Sequence, residues 1–498
     1  MFFTPHGTNR QFRLRDVQRS VLRANGLVAL WLAAVMGLAI TTVHPGQPAF
    51  AAVAAGDAGE SSAEGEIRDP IERLRETLLP NGLKVYLLED HRTPVVSFQV
   101  WVQVGSRDET RYTGLAHLFE HMMFKGSKNL APEQHAQLVN SRGGRINAFT
   151  NRDVTVYHED VTAESLPLVI DLEAERFGNL DISDRNLGSE REVVLEERRL
   201  RYEDRPRGLA YEALSALAWK AHPYRTPVIG WRSDIAAVTV EACRAFFKTY
   251  YAPNNFIIVV VGDFDSAETL SHIKRTFGGL ERGPEIVRSP TVEPIQRGER
   301  RATIEFDVKT PIVFAAWHAP ATGHEDGPSL DVAGQILSGG RSSRLYRSLV
   351  YDAQLATHAS AYYIEYMQAG LFYASAGVRP DASIDETESL LFAEIRRMAE
   401  EGVDQDEVAK AARQLEVALV EGLATTHALA NRIGIEISAF GKVRPLASRL
   451  EEIRRVSPAD VQRVLRAYLK DDQRSVVRVV PVKREKKQKQ PRSEHRIP

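Results

Sequence analysis

Cysteine is all but missing: Cys243 is the only one in 498 residues. No intramolecular disulfide is available, and stability has to come from the size of the core. Flanked by Ala242 and Arg244 in an amphipathic stretch, Cys243 reads as a small buried hydrophobe. An excess of one charge is also missing. With 64 basic against 66 acidic residues, no overall field draws in nucleic acid, so attraction of a substrate must be local. Nor is there a bilayer-length apolar run. The apolar stretch near the start, Leu27 to Ile40, has fourteen residues, short of the about 20 a membrane span needs. It follows arginines at positions 10, 13, 15, 19 and 23 and precedes Ala49-Phe50-Ala51, which is the pattern of an export signal. The expectation is cleavage after Ala51 and an exported, periplasmic protein, with an uncleaved membrane anchor as the alternative.

What is present divides the chain into segments. Residues 1–51 are expected to be the signal and 52–69 a flexible Ala/Gly/Ser leader. A first α+β half covers 70–285, a Pro-containing linker 286–298, and a second half 299–482. The basic stretch 483–498 is expected to be a disordered tail. Asn81-Gly82 suggests a two-residue hairpin between β-like runs, followed by a strand over Val95 to Val104. Helical periodicity covers Gly114 to Lys125, Pro132 to Ser141, Leu166 to Phe177, Asp184 to Tyr202, Tyr211 to Lys220 and Val240 to Tyr251, and strand patterning covers Asn147 to Val161 and Phe256 to Val261. The unit that begins at Thr239 recurs at Ser457, 218 residues on, with an N-cap, an amphipathic helix, a tyrosine (Tyr250, Tyr468) and a β-branched strand. So long an offset marks a duplicated domain rather than a solenoid.

The chemistry sits in GLAHLFEHMMFKGS. His117 and His121 are four apart, so on a helix their imidazoles share a face one turn apart, the spacing of metal ligands. Glu120 lies beside them, where a carboxylate can take a proton from a metal-bound water without joining the coordination sphere. The same letters also describe a helix with two solvent-facing histidines. A catalytic zinc needs a third protein ligand, and SEREVVLEERR offers Glu190, Glu192, Glu196 and Glu197. Glu190 and Glu197, seven apart, share a helix face; Glu196 points about 100° from Glu197, and Glu192 and Glu196 read as solvated charges.

Taken together, these elements resemble the pitrilysin-type inverted zincins (HxxEH), in the branch that includes mitochondrial processing peptidase. Further segments carry the likeness: NAFTNRDVTVYHEDV from Asn147, HPYRTPVIG from His222 and YYAPNNFIIVVVGDF from Tyr250. The resemblance implies two homologous α/β sandwich-like domains, each an antiparallel sheet packed by helices, facing each other as a clamshell. It implies one Zn2+ per chain held by His117, His121 and Glu197, with Glu120 as general base and Glu190 as an auxiliary carboxylate. It further implies a peptide substrate, lying by β-addition along the Asn147-Ala148 segment.

One part of the family pattern is broken. Active relatives carry an Arg and, seven residues later, a Tyr in the second half, and here those positions fall on Val350 and Thr357. Neither can donate as Arg and Tyr do. The resemblance therefore implies a heterodimer in which this zinc-bearing chain pairs with a homologue that supplies both residues. Tyr346, Arg347 and Tyr351 are the local substitutes to consider, His358 reads as a strand or loop histidine, and a non-catalytic assembly subunit of the same fold is the competing reading.

Overall fold

The structure is a computed structural model, and it describes residues 69–482. The signal, the tail and all of the leader except Asp69 lie outside the described residues.

Two sheets organise the chain. The first contains β1 (Arg75–Leu78), β2 (Lys84–Glu89), β3 (Val95–Val102), β4 (Arg145–Thr150), β5 (Thr155–Thr162) and β6 (Phe256–Gly262), in spatial order β1-β2-β6-β3-β5-β4. The second contains β7 (Arg300–Phe306), β8 (Ile312–Ala319), β9 (Ala356–Glu365), β10 (Gly370–Val378) and β11 (Arg474–Pro481), in order β7-β11-β8-β10-β9. Strand for strand, β2-β6-β3-β5-β4 and β7-β11-β8-β10-β9 are the same path, with β1 added to the first. Each sheet is antiparallel except for one parallel pair, β2 with β6 and β7 with β11, so the sheets are mixed rather than wholly antiparallel. Two α/β halves built on these sheets form a clamshell-like arrangement.

β6, Phe-Ile-Ile-Val-Val-Val-Gly, is buried at every position, the pattern of a strand covered on both faces. One cover is the first half's own core, from Leu83 and Phe98 to Phe119 and Phe256. The other comes from the far half: Leu429, Ala430, Ile433 and Ile437 of the helix Thr426–Phe440 pack on Tyr86, Trp101 and Val259. The exchange is mutual. The helix Pro206–Ala218, from the first half, lays Ala210, Leu214 and Ala218 on Ile312, Tyr373 and Val477 of the second sheet. Each sheet therefore completes its burial with a helix of the other half. Where the crossing helix is tightest, a Cβ on Gly434 would fall 2.0 Å from the Trp101 indole, so only glycine lets the backbone come that close.

The segment repeated from Thr239 and Ser457 has the same form in both places. Thr239 and Ser457 accept the N–H of Ala242 and Asp460 through their hydroxyls, each 3.2 Å, at the starts of the helices Val240–Tyr250 and Pro458–Tyr468. These lead through short turns into β6 and β11. Between 281 and 299 the chain has no helix or strand, yet it is pinned, because the Glu293 carboxylate accepts the N–H groups of Lys220, Ala221 and His222 at 2.8–2.9 Å.

Several elements differ from the sequence expectation. The first hairpin has a three-residue loop, Pro80-Asn81-Gly82, between Leu79 and Leu83, whose backbone groups bond at 2.8 Å. Gly82 takes φ +93° there. The strand expected over Asn147 to Val161 is a hairpin, β4 and β5, because the Asn151 side-chain oxygen accepts from the Asp153 and Val154 N–H groups and turns the chain. The helix expected to reach Tyr202 is α-helical over Asp184–Arg198 and then widens to a π-turn, Arg199–Glu203. The next helix, expected from Tyr211, already starts at Pro206, which lacks an N–H and is suited to a first turn.

Candidate metal centre

The helix Leu115–Met122 carries the two histidines. It starts at Gly114, where φ is +84° and a Cβ would fall 2.4 Å from the Ile229 carbonyl. Glu109 closes the start: its two carboxylate oxygens accept the N–H groups of Gly114 and Ala116, each at 2.8 Å. Leu115, Leu118, Phe119 and Met122 anchor the helix in the first core. That leaves His117, Glu120 and His121 facing the helix Asp184–Arg198, which presents Glu190 and Glu197 buried and keeps Glu192 and Glu196 in solvent.

Three donors converge. Glu197 Oε2 lies 3.6 Å from His117 Nε2 and 3.2 Å from His121 Nε2, and the two imidazoles stand edge to face with centroids 4.9 Å apart. The ligand atoms of the three residues all lie within 4.8 Å of one another. Glu197 Oε2 is buried without a hydrogen-bond partner, an arrangement that costs energy unless a cation meets it. Its other oxygen is taken: Arg201 Nη1 lies 2.7 Å from Oε1. Burial would raise the Glu197 carboxyl, but the facing His117 and His121, with Arg201, outweigh it and hold the group at about 2. At His121 burial works to lower the imidazole, whereas Glu190 and Glu197 lift it to about 10. His117, where burial dominates, stays below its ordinary value. Two imidazole nitrogens and one carboxylate oxygen are the donor types of a catalytic zinc, so the residues fit that ion.

The neighbours of this trio are equally specific. Glu190 Oε2 lies 3.5 Å from His121 Nδ1, behind the ring rather than in front of it, and so sets the direction of Nε2. Lys125 balances Glu190 at 3.0 Å and Glu133 at 2.5 Å. Glu120 accepts the Thr150 hydroxyl at 2.6 Å, which ties the carboxylate to the last residue of β4. Since β4 is the edge of its sheet, its outer backbone groups face away from β5. The Asn147 side-chain oxygen accepts the Ala148 N–H at 2.9 Å, so an incoming strand would exchange with that contact.

Thr150, Lys125 and Arg201 were not singled out in the sequence. Two of them carried a signal, since Lys125 follows His121 by four residues and Arg201 follows Glu197 by four, the reach of a helix neighbour. Thr150 carried none, because its link to Glu120 exists only once β4 lies against the HLFEH helix.

In the second half, Val350 packs partly buried against the core, and the Thr357 hydroxyl donates to the Gly377 carbonyl within the sheet at 3.1 Å. Neither offers a donor outward. Arg347 stacks over Tyr351, which is largely exposed, Tyr346 begins the π-turn Tyr346–Asp352, and the His358 ring lies 2.6 Å from Arg207.

Comparison with known proteins places the chain in a family. The family described as "Insulinase (Peptidase family M16)" matches residues 84–231, which include the whole trio, and "Peptidase M16 inactive domain" matches 237–415. The chain is 30% identical to the zinc protease PqqE of Helicobacter pylori over 81% of this chain and 92% of that protein. It is 25% identical to the probable mitochondrial-processing peptidase subunit beta of Arabidopsis thaliana over 82% and 78%. The crystal structure of a protease from Helicobacter pylori superposes with a TM-score of 0.79 at 29% identity, covering 82% of this chain and 99% of that one.

Proposed function

The chain belongs to the M16 (insulinase) peptidase family, and on that premise we propose that it is a zinc endopeptidase acting on extended peptides. The observation that carries the reading is the convergence of His117, His121 and the unpartnered Glu197 Oε2 beside Glu120. A Zn2+ held there would polarise the scissile carbonyl and lower the pKa of its water. Glu120, steadied by the Thr150 hydroxyl, accepts the proton and returns it to the leaving amine. Glu190 and Lys125 hold His121 in direction. The outer edge of β4 binds the peptide through main-chain hydrogen bonds, which tolerates many sequences.

The reading includes a second chain. Val350 and Thr357 leave the oxyanion without the Arg and Tyr expected of active relatives, so a homologous subunit supplies them. The relative named as a beta subunit of a processing peptidase supports a two-chain form. Export to the periplasm is part of the same proposal, supported by the arginines and apolar run ahead of Ala51. A non-catalytic assembly subunit draws support from the inactive-domain description of 237–415, but it gives no use to a buried, unpartnered Glu197 oxygen.

The test is cleavage of unstructured peptides by the chain alone, by the chain with its homologue, and by the same pair carrying Glu120→Gln. Cleavage is expected from the pair, and is expected to vanish on chelation and return with zinc. Full activity in the Glu120→Gln pair would overturn the mechanism.

A further inference from the structure

Two other groups of histidine and carboxylate lie close enough to hold an ion among the described residues. One, His135 with Glu159 and Glu173, already contains its cation, since Arg176 Nε donates to Glu173 at 2.8 Å. The other does not. His158 and Asp160 are two apart on β5 and so share a face, opposite the one that carries Tyr157 into the first core. Against that face lies the crossing helix Thr426–Phe440, with His427 in its first turn. His427 Nδ1 stands 3.0 Å from Asp160 Oδ2, and the His158 and His427 rings meet edge to face with centroids 4.8 Å apart.

We propose that His158, Asp160 and His427 form a second, non-catalytic site for a divalent ion of the zinc class, clamping the second half's crossing helix to the first half's sheet. The ligand atoms of all three lie within 4.8 Å of one another, a spread that small side-chain rotations close to the separations seen around an ion with bonds of about 2.0–2.2 Å. Two imidazoles and a carboxylate suit zinc, nickel or cobalt rather than magnesium or calcium. Asp160 is met by the His427 imidazole and by no lysine or arginine of the described residues, so an ion would take the place of a proton on that ring rather than compete with a fixed cation. All three side chains are partly exposed, which gives an ion entry and leaves room for water to complete the shell. The helix end is already fixed in place, because Gln99 Nε2 donates to the His427 carbonyl at 3.3 Å. Since β5 is the neighbour of the edge strand β4, an ion here would stiffen the strand pair beside the catalytic site.

The site stands apart from the catalytic reading, and zinc content separates the two. The full chain, a His427→Gln variant and a Glu197→Gln variant are dialysed against zinc, and the bound metal is measured by elemental analysis. The expectation is about two equivalents in the parent and about one in each variant. His427→Gln binding as much zinc as the parent overturns the clamp. So does a parent with a single equivalent that Glu197→Gln loses and His427→Gln keeps. A single equivalent that His427→Gln loses and Glu197→Gln keeps upholds the clamp and removes the catalytic zinc instead. His158→Asn, on the sheet side of the contact, gives the same measurement should His427→Gln fail to fold.

Discussion

The two halves follow one strand path and put a helix at the same point of it, after β3 and after β8, yet they fill that point in opposite ways. In the first half the helix Leu115–Met122 turns His117, Glu120 and His121 toward buried carboxylates. In the second, the helix Gly327–Ser338 buries Leu330, Val332, Ala333, Ile336 and Leu337, and Gly334 lies against the Tyr362 backbone, where a Cβ would stand 3.2 Å away. One copy of the fold tolerates a pocket of buried charge and the other is packed shut. Burying ionisable groups is costly unless partners meet them, and here each carboxylate has one, Glu197 in Arg201 and the histidines, Glu190 in Lys125 and Glu120 in Thr150.

The difference can be broken at several points. The largest effect is expected at Glu120→Gln, which should lower peptide cleavage by about 10²–10⁴-fold while bound zinc and the thermal midpoint stay at parent values. A matching fall in zinc content would move Glu120 from base to ligand. Next comes Glu190→Gln, expected to weaken zinc binding or activity by about 10–100-fold, read by competition with a chromophoric chelator. An unchanged affinity would show that Glu190 does not orient His121.

Smaller effects belong to packing. Gly434→Ala pushes a methyl into Trp101 and should cost about 1–3 kcal/mol of stability in denaturant unfolding. An unaltered midpoint would mean that the crossing helix is looser than its contact with Trp101 indicates.

The smallest concerns pH and the buried group beneath the first sheet. Burial pushes Glu159 and Glu173 up to about 7 and pushes His135 down to about 3. A carboxyl raised in the fold stabilises it below the ordinary value near 4.5 and loses that contribution as pH rises through 7. The lowered histidine works in reverse, its contribution lost as pH falls from about 6.5 toward 3. Glu159→Gln should therefore gain thermal stability relative to the parent between pH 4.5 and 7, and a constant difference across that window would contradict the assignment.

Much of the site was legible because helices are local. Spacings of four and seven fix which side chains share a face, and that was enough to pair His117 with His121 and to favour Glu190 and Glu197 over Glu192 and Glu196. The repeated closing unit was legible for the same reason, as an N-cap, a helix and a strand are written in consecutive residues. Boundaries read less well where one residue type serves two ends. The Asn151 turn hid inside an apparently continuous strand, and the helix expected from Tyr211 already starts at Pro206.

The sequence by itself determined the local halves of the candidate site: two histidines and a glutamate on one helix, and two carboxylates seven residues apart on another. Only the tertiary structure decided how those halves meet. It set Thr150 on Glu120, turned one oxygen of Glu197 to Arg201 and the other to the two histidines, exchanged a helix between the two halves, and brought His427 to Asp160. Periodicity is a property of neighbours within a turn or two, whereas contacts across 30 to 267 residues are chosen by which apolar faces can be buried together.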